Sequence, residues 1–338
     1  MTPGGKKMVA IALFCFFFLG FAEALPFDFA QGGERVEPHA QSLERVRIAY
    51  SAGGLISFPL IIAKEKRIFQ TEGLDVETIV MRPELGVKAL VSGDLQYSYF
   101  AGTTINAAVH GLPVKVVMVS NDCPLYSLMV RPHIQSLKDL KGKKLGVASL
   151  TAGEAFLSRR LLKDAGIDVD REMSVIVVGN TPERISALKM GVVDATTVSV
   201  PADFQAEQLG LKRLVFIGDA MEAVSGGVGV STRMIKEQPG QIKRMIRALL
   251  KGIAYAKANR EEMIGLLMAK WRLDRERAAE TWDLTARTLE DDGTASDGAV
   301  LLSIQAAQEM VREKRMIPLS QVVDFSIARQ AYEELRAK

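Results

Sequence analysis

Gly73-Leu74-Asp75-Val76 returns as Gly166-Ile167-Asp168-Val169, 93 residues downstream, and the reading of the whole chain grows from that echo. Ala89-Leu90-Val91-Ser92-Gly93 returns as Ala187-Leu188-Lys189-Met190-Gly191 at an offset of 98, and Gly111-Leu112 returns as Gly210-Leu211 at an offset of 99. Similar tokens in one order at nearly constant spacing mark a duplicated segment. A period of this size is too long for a solenoid unit and suits a small α/β lobe. Two similar lobes leave a cleft between them, a natural place to hold a small molecule.

Around the echoes, strand-like and helix-like stretches alternate. Val46 to Tyr50 alternates apolar and polar residues and reads as a strand ending at Ser51-Ala52-Gly53-Gly54. A helix capped by Ser57, with Pro59 in its first turn, is stopped by Gly73. Strands follow at Asp75–Met81, Gln96–Phe100 and Val114–Val119, with helices between them, one capped by Thr103-Thr104. The second copy repeats this grammar. Lys143–Ala148 reads as a strand, and Thr151 with Glu154 reads as a capping box opening a helix that Gly166 stops. Ser174–Val178 is a strand, Thr181-Pro182 starts a helix, Asp194–Val198 is a strand, Pro201 opens a helix, and Leu214–Ile217 closes the lobe. Alternation of this kind predicts a mostly parallel sheet with right-handed crossovers in each lobe.

From about Ser231 onward every segment has helical spacing: Ile235–Ala258, Glu261–Trp271, Arg275–Leu289, Ala299–Arg315 and Val322–Arg336. Their apolar stripes are most economically buried on the first lobe. The predicted fold is therefore α/β, with two parallel-sheet lobes joined by a two-strand hinge and C-terminal helices packed on lobe one. Lobe one is expected over 45–125 plus 222–338 and lobe two over 126–221.

The N-terminus predicts export. Lys6 and Lys7 precede an apolar run from Met8 to Phe21, and Ala22-Glu23-Ala24 has the small-x-small cleavage pattern, which places a cut after Ala24. The run is short of the roughly 20 residues a spanning helix needs. Cys15 lies inside the run rather than after it, which argues against a lipoprotein. Residues 25–44, polar with Gly32-Gly33 and Pro38, read as a flexible lead-in. After cleavage only Cys123 is left, so no intrachain disulfide is expected. With 43 Lys and Arg against 40 Asp and Glu, the chain gives no support for a nucleic-acid partner. A hydrophobic content of 48% suffices for a sizeable core.

In parallel α/β sheets the loops after the strands carry ligand groups, and helix N-termini beside them present unpaired N–H donors. In lobe one this places candidates at Ser51, Gly53, Gly54, Ser57 and Phe58, at Arg82, at Ala101, Gly102, Thr103 and Thr104, and at Asn121 and Asp122. Lobe two offers Ser149, Thr151, Ala152 and Gly153, then Asn180 and Thr181, then Ser199 and Pro201. Ser225 and Gly226 lie on the return crossing. Singly, such residues are also ordinary caps and turns; their convergence on one cleft points to binding. Helix ends favour an anionic group, to which Arg82 would add a cation, while Asp122 and Glu154 in the same loops oppose one. Tyr50, Phe58, Tyr99 and Phe204 offer a flat wall, whereas Trp271 and Trp282 are expected to pack in the core.

At this point the residues carry a resemblance. Ala89-Leu90-Val91-Ser92-Gly93-Asp94-Leu95-Gln96 resembles the A-L-x-x-G-x-x-D segment of the nitrate/sulfonate/taurine-type substrate-binding proteins of ABC importers. Gly111-Leu112-Pro113-Val114-Lys115-Val116-Val117 is similar to their G-x-P-[VL]-K-x-V segment, and Leu137 to Val147 to their L-K-D-L-K-G-K-x-[IVL]-[GA]-V segment. The position acidic in that family is Gln96 in the first copy and Asp194 in the second. The resemblance covers about residues 45 to 335. It implies a bilobed periplasmic-binding-protein fold, type II-like, a monomer in the periplasm that delivers a small-molecule ligand to an ABC permease in the inner membrane.

Two other classes stand beside this reading: a ligand-binding sensor or adaptor that feeds no permease, and an enzyme. His39, His110 and His133 are scattered, and no H-E-x-x-H, C-x-x-C or G-x-S-x-G spacing occurs, so neither a metal site nor a nucleophile elbow is expected. The resembled family also includes a pyrimidine-precursor synthase with a cysteine-rich segment, which this chain lacks. No cofactor is expected.

Overall fold

The computed structural model describes residues 43–51, 54–150, 152–311 and 314–337. The expected leader and nearly all of the lead-in, with Gly53 and Thr151, lie outside these described residues. The strands are β1 (Glu44–Tyr50), β2 (Leu74–Val80), β3 (Tyr97–Ser98), β4 (Val114–Asn121), β5 (Tyr126–Val130), β6 (Lys144–Val147), β7 (Ser174–Val177), β8 (Ala195–Ser199), β9 (Lys212–Phe216) and β10 (Gly226–Ser231). They form two five-stranded sheets, ordered β2-β1-β3-β10-β4 and β7-β6-β8-β5-β9.

The two sheets share one plan. β1 runs parallel to β2 and β3, and β6 runs parallel to β7 and β8. Into each sheet comes one antiparallel strand. β10 lies between β3 and β4, and β5 between β8 and β9. The sheets are thus mixed rather than parallel throughout. The inserted strands are the ones arriving from the other lobe: β5 follows β4 directly, and β10 follows β9 and the short helix Ile217–Ala220. The two crossings are tied by Ala223 N donating to Asp122 O at 2.6 Å and Ser225 N to Asn121 O at 3.0 Å.

The echoed glycines have one physical cause. Gly73 and Gly166, Gly93 and Gly191, and Gly111 and Gly210 all have φ between 74° and 84° or at 87° and 76°, the left-handed region in which glycine ends a helix without steric cost. The step in offset from 93 to 98 has a cause too. Between its stopping glycine and its second strand the second copy carries a helical turn, Val169–Glu172, capped by Asp168, whereas the first copy passes from Gly73 straight into β2. Gln96 and Asp194 do the same work. Gln96 Oε1 accepts from Arg47 N at 2.9 Å, and Asp194 Oδ2 accepts from Lys144 N at 3.0 Å. The departure from the acidic pattern therefore keeps the hydrogen bond that binds the last parallel strand to its neighbour.

The helix Pro239–Ala258 buries Ile242, Met245, Ile246, Leu249 and Ile253, one stripe at three- and four-residue spacing, and packs on the helix Phe58–Glu65. Trp282 is 2% exposed, with Phe58 at 5.6 Å between ring centroids, and Trp271 packs on the same ring at 6.3 Å. Most C-terminal helices cover the first sheet, but two also reach the second lobe. Glu280 of Arg275–Arg287 pairs with Arg213 at 2.8 Å, and Leu302 and Ala306 of Asp297–Val311 pack on the second lobe's core. Among the described residues no helix is long and apolar enough to cross a membrane.

Candidate functional site

The C-terminal ends of the parallel strands in both lobes face a common cleft, and two cavities open there. The first, about 350 Å³, is lined by Ser51, Gly54, Leu55, Ile56, Ser57, Pro83, Tyr99, Phe100, Gly102, Thr103, Leu125, Tyr126, Ser199, Val200 and Ser225. The second, about 530 Å³, shares Ile56, Gly102, Thr103, Tyr126 and Ser225 with it. It continues to Glu84, Asn106, Ser149, Ala152, Gly153, Glu154, Phe156 and Leu157, with Leu302, Ser303, Ala306 and Met310 from the helix Asp297–Val311. Ser51, Gly54, Ser57, Gly102, Thr103, Ser149, Ala152, Gly153, Ser199 and Ser225 are therefore brought together.

The other candidates stand apart from these walls, each for a visible reason. Phe58 is wholly buried against the two tryptophans. Ala101 and Thr104 face inward, because the helix Ala101–Val109 starts two residues before the Thr103-Thr104 cap that its sequence suggests. Asn121 is buried in the hinge, donating Nδ2 to Thr288 Oγ1 at 2.9 Å and accepting from Ser120 Oγ at 2.9 Å. Asn180, not Thr181, caps the helix Thr181–Lys189, in a capping box with Glu183. Pro201 follows a cis peptide bond and is buried, Gly226 is buried against Asn121 and Ser120, and Arg82 is exposed beyond the cavity wall.

Glu154 does not complete a capping box, since Ala152 is the N-cap of Gly153–Asp164. Its Oε1 accepts from Ala148 N at 3.3 Å and lies 3.8 Å from Arg184 Nη1. Arg184, 4% exposed, is held by the carbonyls of Gly179 at 2.6 Å and Thr197 at 3.1 Å. That cation is spent on the protein, and among the described residues no lysine or arginine lines either cavity.

Apart from Glu84 and Glu154 in the second cavity, what faces the cleft is a set of neutral hydroxyls and flat rings. The hydroxyls of Ser51, Thr103, Tyr126, Ser149 and Ser199 have no protein partner among the described residues. Burial pushes the Tyr126 phenol up, Glu154 adds to the shift and Arg184 opposes it, so the ring carries an O–H at neutral pH. Burial likewise raises the Tyr99 phenol, which donates to Ser120 Oγ at 2.7 Å. Sequence reasoning passed over Tyr126, although it stands where the chain enters the second lobe. It had no means of finding the wall from Asp297–Val311, which belongs to no loop after a strand.

Asp122 sits in the crossing, out of both cavities, and meets Glu290. Burial first, then the hydrogen bond to Asp122, push the Glu290 carboxyl from 4.5 up to about 8. A raised folded-state value means that the fold holds the proton more tightly than the unfolded chain. Its contribution is complete below about 4.5 and is lost as pH rises through about 8. Melting temperature should therefore fall from pH 5 to pH 8, and Glu290→Gln should flatten that slope. An equal slope in both proteins would place the titration elsewhere.

The sequence profile described as NMT1/THI5 like matches residues 57–263 of the 338. A putative binding protein of Brucella abortus is 25% identical over 236 residues, covering 68% of this chain and 72% of the relative. The riboflavin-binding protein RibY of Chloroflexus aurantiacus is 24% identical over 241 residues, covering 68% of this chain and 67% of the relative. Among solved structures, a putative periplasmic sulfonate-binding protein of Methylobacillus flagellatus superposes with TM-score 0.71 at 18% identity, over 88% of this chain and 96% of that one. The fold is thus the periplasmic-binding-protein fold.

Proposed function

We propose, given that the chain belongs to the NMT1/THI5-like family, that it is a solute receptor whose two lobes capture a small organic molecule with a flat, uncharged ring. The observation that carries this is the convergence of unpartnered hydroxyls from both lobes, Thr103 and Ser51 facing Tyr126 and Ser199, beside Tyr99 and Phe100. Hydroxyls and aromatic faces orient a neutral ring, whereas an anion would lack a countercharge here. A relative that binds riboflavin supports the same ligand class. The lobes in this reading are 45–125 plus 222–338 and 126–221, working as a monomer in the periplasm and passing the ligand to an ABC permease. Binding, not conversion, is the activity.

A second reading keeps the anion, on the ground that the N-termini of Ala101–Val109 and Gly153–Asp164 both open on the cleft. A thermal-shift screen separates the two. A ligand bound only by the fold at a hundred times its Kd adds about 2.7 kcal/mol, or a rise on the order of 5 °C for a chain of this size. Pyrimidines and flavins are expected to give that rise. A rise with nitrate or sulfonates alone would favour the anion, and no rise with any compound would end the case for small-molecule capture.

A further inference from the structure

The second cavity has a wall that the duplicated halves do not supply. The helix Asp297–Val311 buries Val300, Ile304 and Ala307 in the first lobe's core, while its Leu302 and Ala306 pack on the second lobe's. It spans the gap between lobes and encloses a chamber continuous with the first through Gly102, Thr103, Tyr126 and Ser225. We propose that this chamber is a subsite for a ligand arm bearing hydrogen-bond donors, so that the captured solute is bipartite: a flat ring in the first cavity and a hydroxylated or aminated chain in the second. The inference rests on the reading of the cleft as a site for a flat ring.

The chemistry of the chamber selects donors. Asn106 is fixed in the wall, its Nδ2 donating to Met310 Sδ at 3.7 Å, so the side chain offers the chamber no free N–H on that side. The charged side chains lining the chamber are the carboxylates Glu84 and Glu154, both acceptors. Ser149 presents a hydroxyl without a protein partner. A ring alone would fill the first cavity and leave the chamber's carboxylates and the Ser149 hydroxyl without a ligand partner.

The test uses matched pairs, each a bare ring and the same ring with an arm: lumiflavin and riboflavin, cytosine and cytidine, indole and tryptamine. Binding to the full-length mature protein is read by calorimetry. For every pair whose ring binds, the armed member is expected to bind at least tenfold tighter. A flavin or cytidine advantage identifies a polyol arm, a tryptamine advantage an ammonium. Ala306→Trp, which fills the chamber, should cost the armed member at least tenfold and the bare ring less than threefold. Should that helix not accept tryptophan, Ser149→Ala, which removes the chamber's unpartnered hydroxyl, should narrow the armed advantage. Equal affinity within each pair, or equal losses for ring and armed ring in the variants, would overturn the subsite while leaving the cleft reading intact. Binding of no ring at all would overturn the cleft reading and this inference with it.

Discussion

Gly227→Ala is expected to destabilise the protein by about 3 kcal/mol or more, a large share of the roughly 5–15 kcal/mol by which domains are stable. Gly227 has φ 148°, a backbone conformation that side-chain-bearing residues rarely adopt. An added methyl would overlap the Met118 carbonyl oxygen and lie 2.9 Å from Val119 Cα. Both are backbone atoms of β4, so no rotamer change relieves the clash. The pairing of β10 with β4 shifts register between Gly226 and Gly227, the irregularity that brings the two backbones so close. As β10 is the strand by which the chain returns to the first lobe, loosening it also loosens the hinge. Gly240→Ala is the control: it lies in the helix Pro239–Ala258 with open space around it, and a small gain is expected there. Urea denaturation of both variants checks the contrast. A loss for Gly227→Ala within about 0.5 kcal/mol, the usual range for surface changes, would show that the crossing is not the rigid element described.

Gly102→Trp should abolish capture and leave the fold standing. Gly102 is exposed, lies in the first turn of Ala101–Val109, and lines both cavities. A Cβ there meets only Val224 O, at 3.7 Å, an ordinary contact, so the backbone accepts a side chain. The indole would then occupy the passage between the cavities, and a loss of about a hundredfold in affinity, about 2.7 kcal/mol, is expected. Melting temperature without ligand should stay within a few degrees of the parent. Calorimetry with whichever compound the thermal screen selects supplies the affinity. Retained binding in a folded Gly102→Trp protein would move the site out of this cleft altogether.

The chain's residues, taken alone, determined the elements dictated by near neighbours. Glycines that must adopt positive φ marked the helix stops at Gly73, Gly111, Gly166 and Gly210, and alternation marked β1. Because those same constraints act in both copies, the duplication itself was legible, and with it two α/β lobes. The places where the reading slipped are short-range competitions between adjacent polar residues. Asn180 rather than Thr181 took the cap, because its Oδ1 accepts from Glu183 N while the Glu183 carboxylate accepts from Asn180 N.

Only the tertiary structure decided which strands run antiparallel, which candidate loops meet, and where charge is cancelled. Each depends on groups far apart along the chain. Asn121 is removed from the site by Thr288, 167 residues away, and Asn106 is joined to Met310 across 204 residues. Arg184 is quenched by the carbonyls of Gly179 and Thr197 and by Glu154 rather than offered to a ligand. Local backbone preference extends over a few residues, whereas a binding surface is assembled by whatever the packed core brings side by side; no pattern within one segment records that meeting.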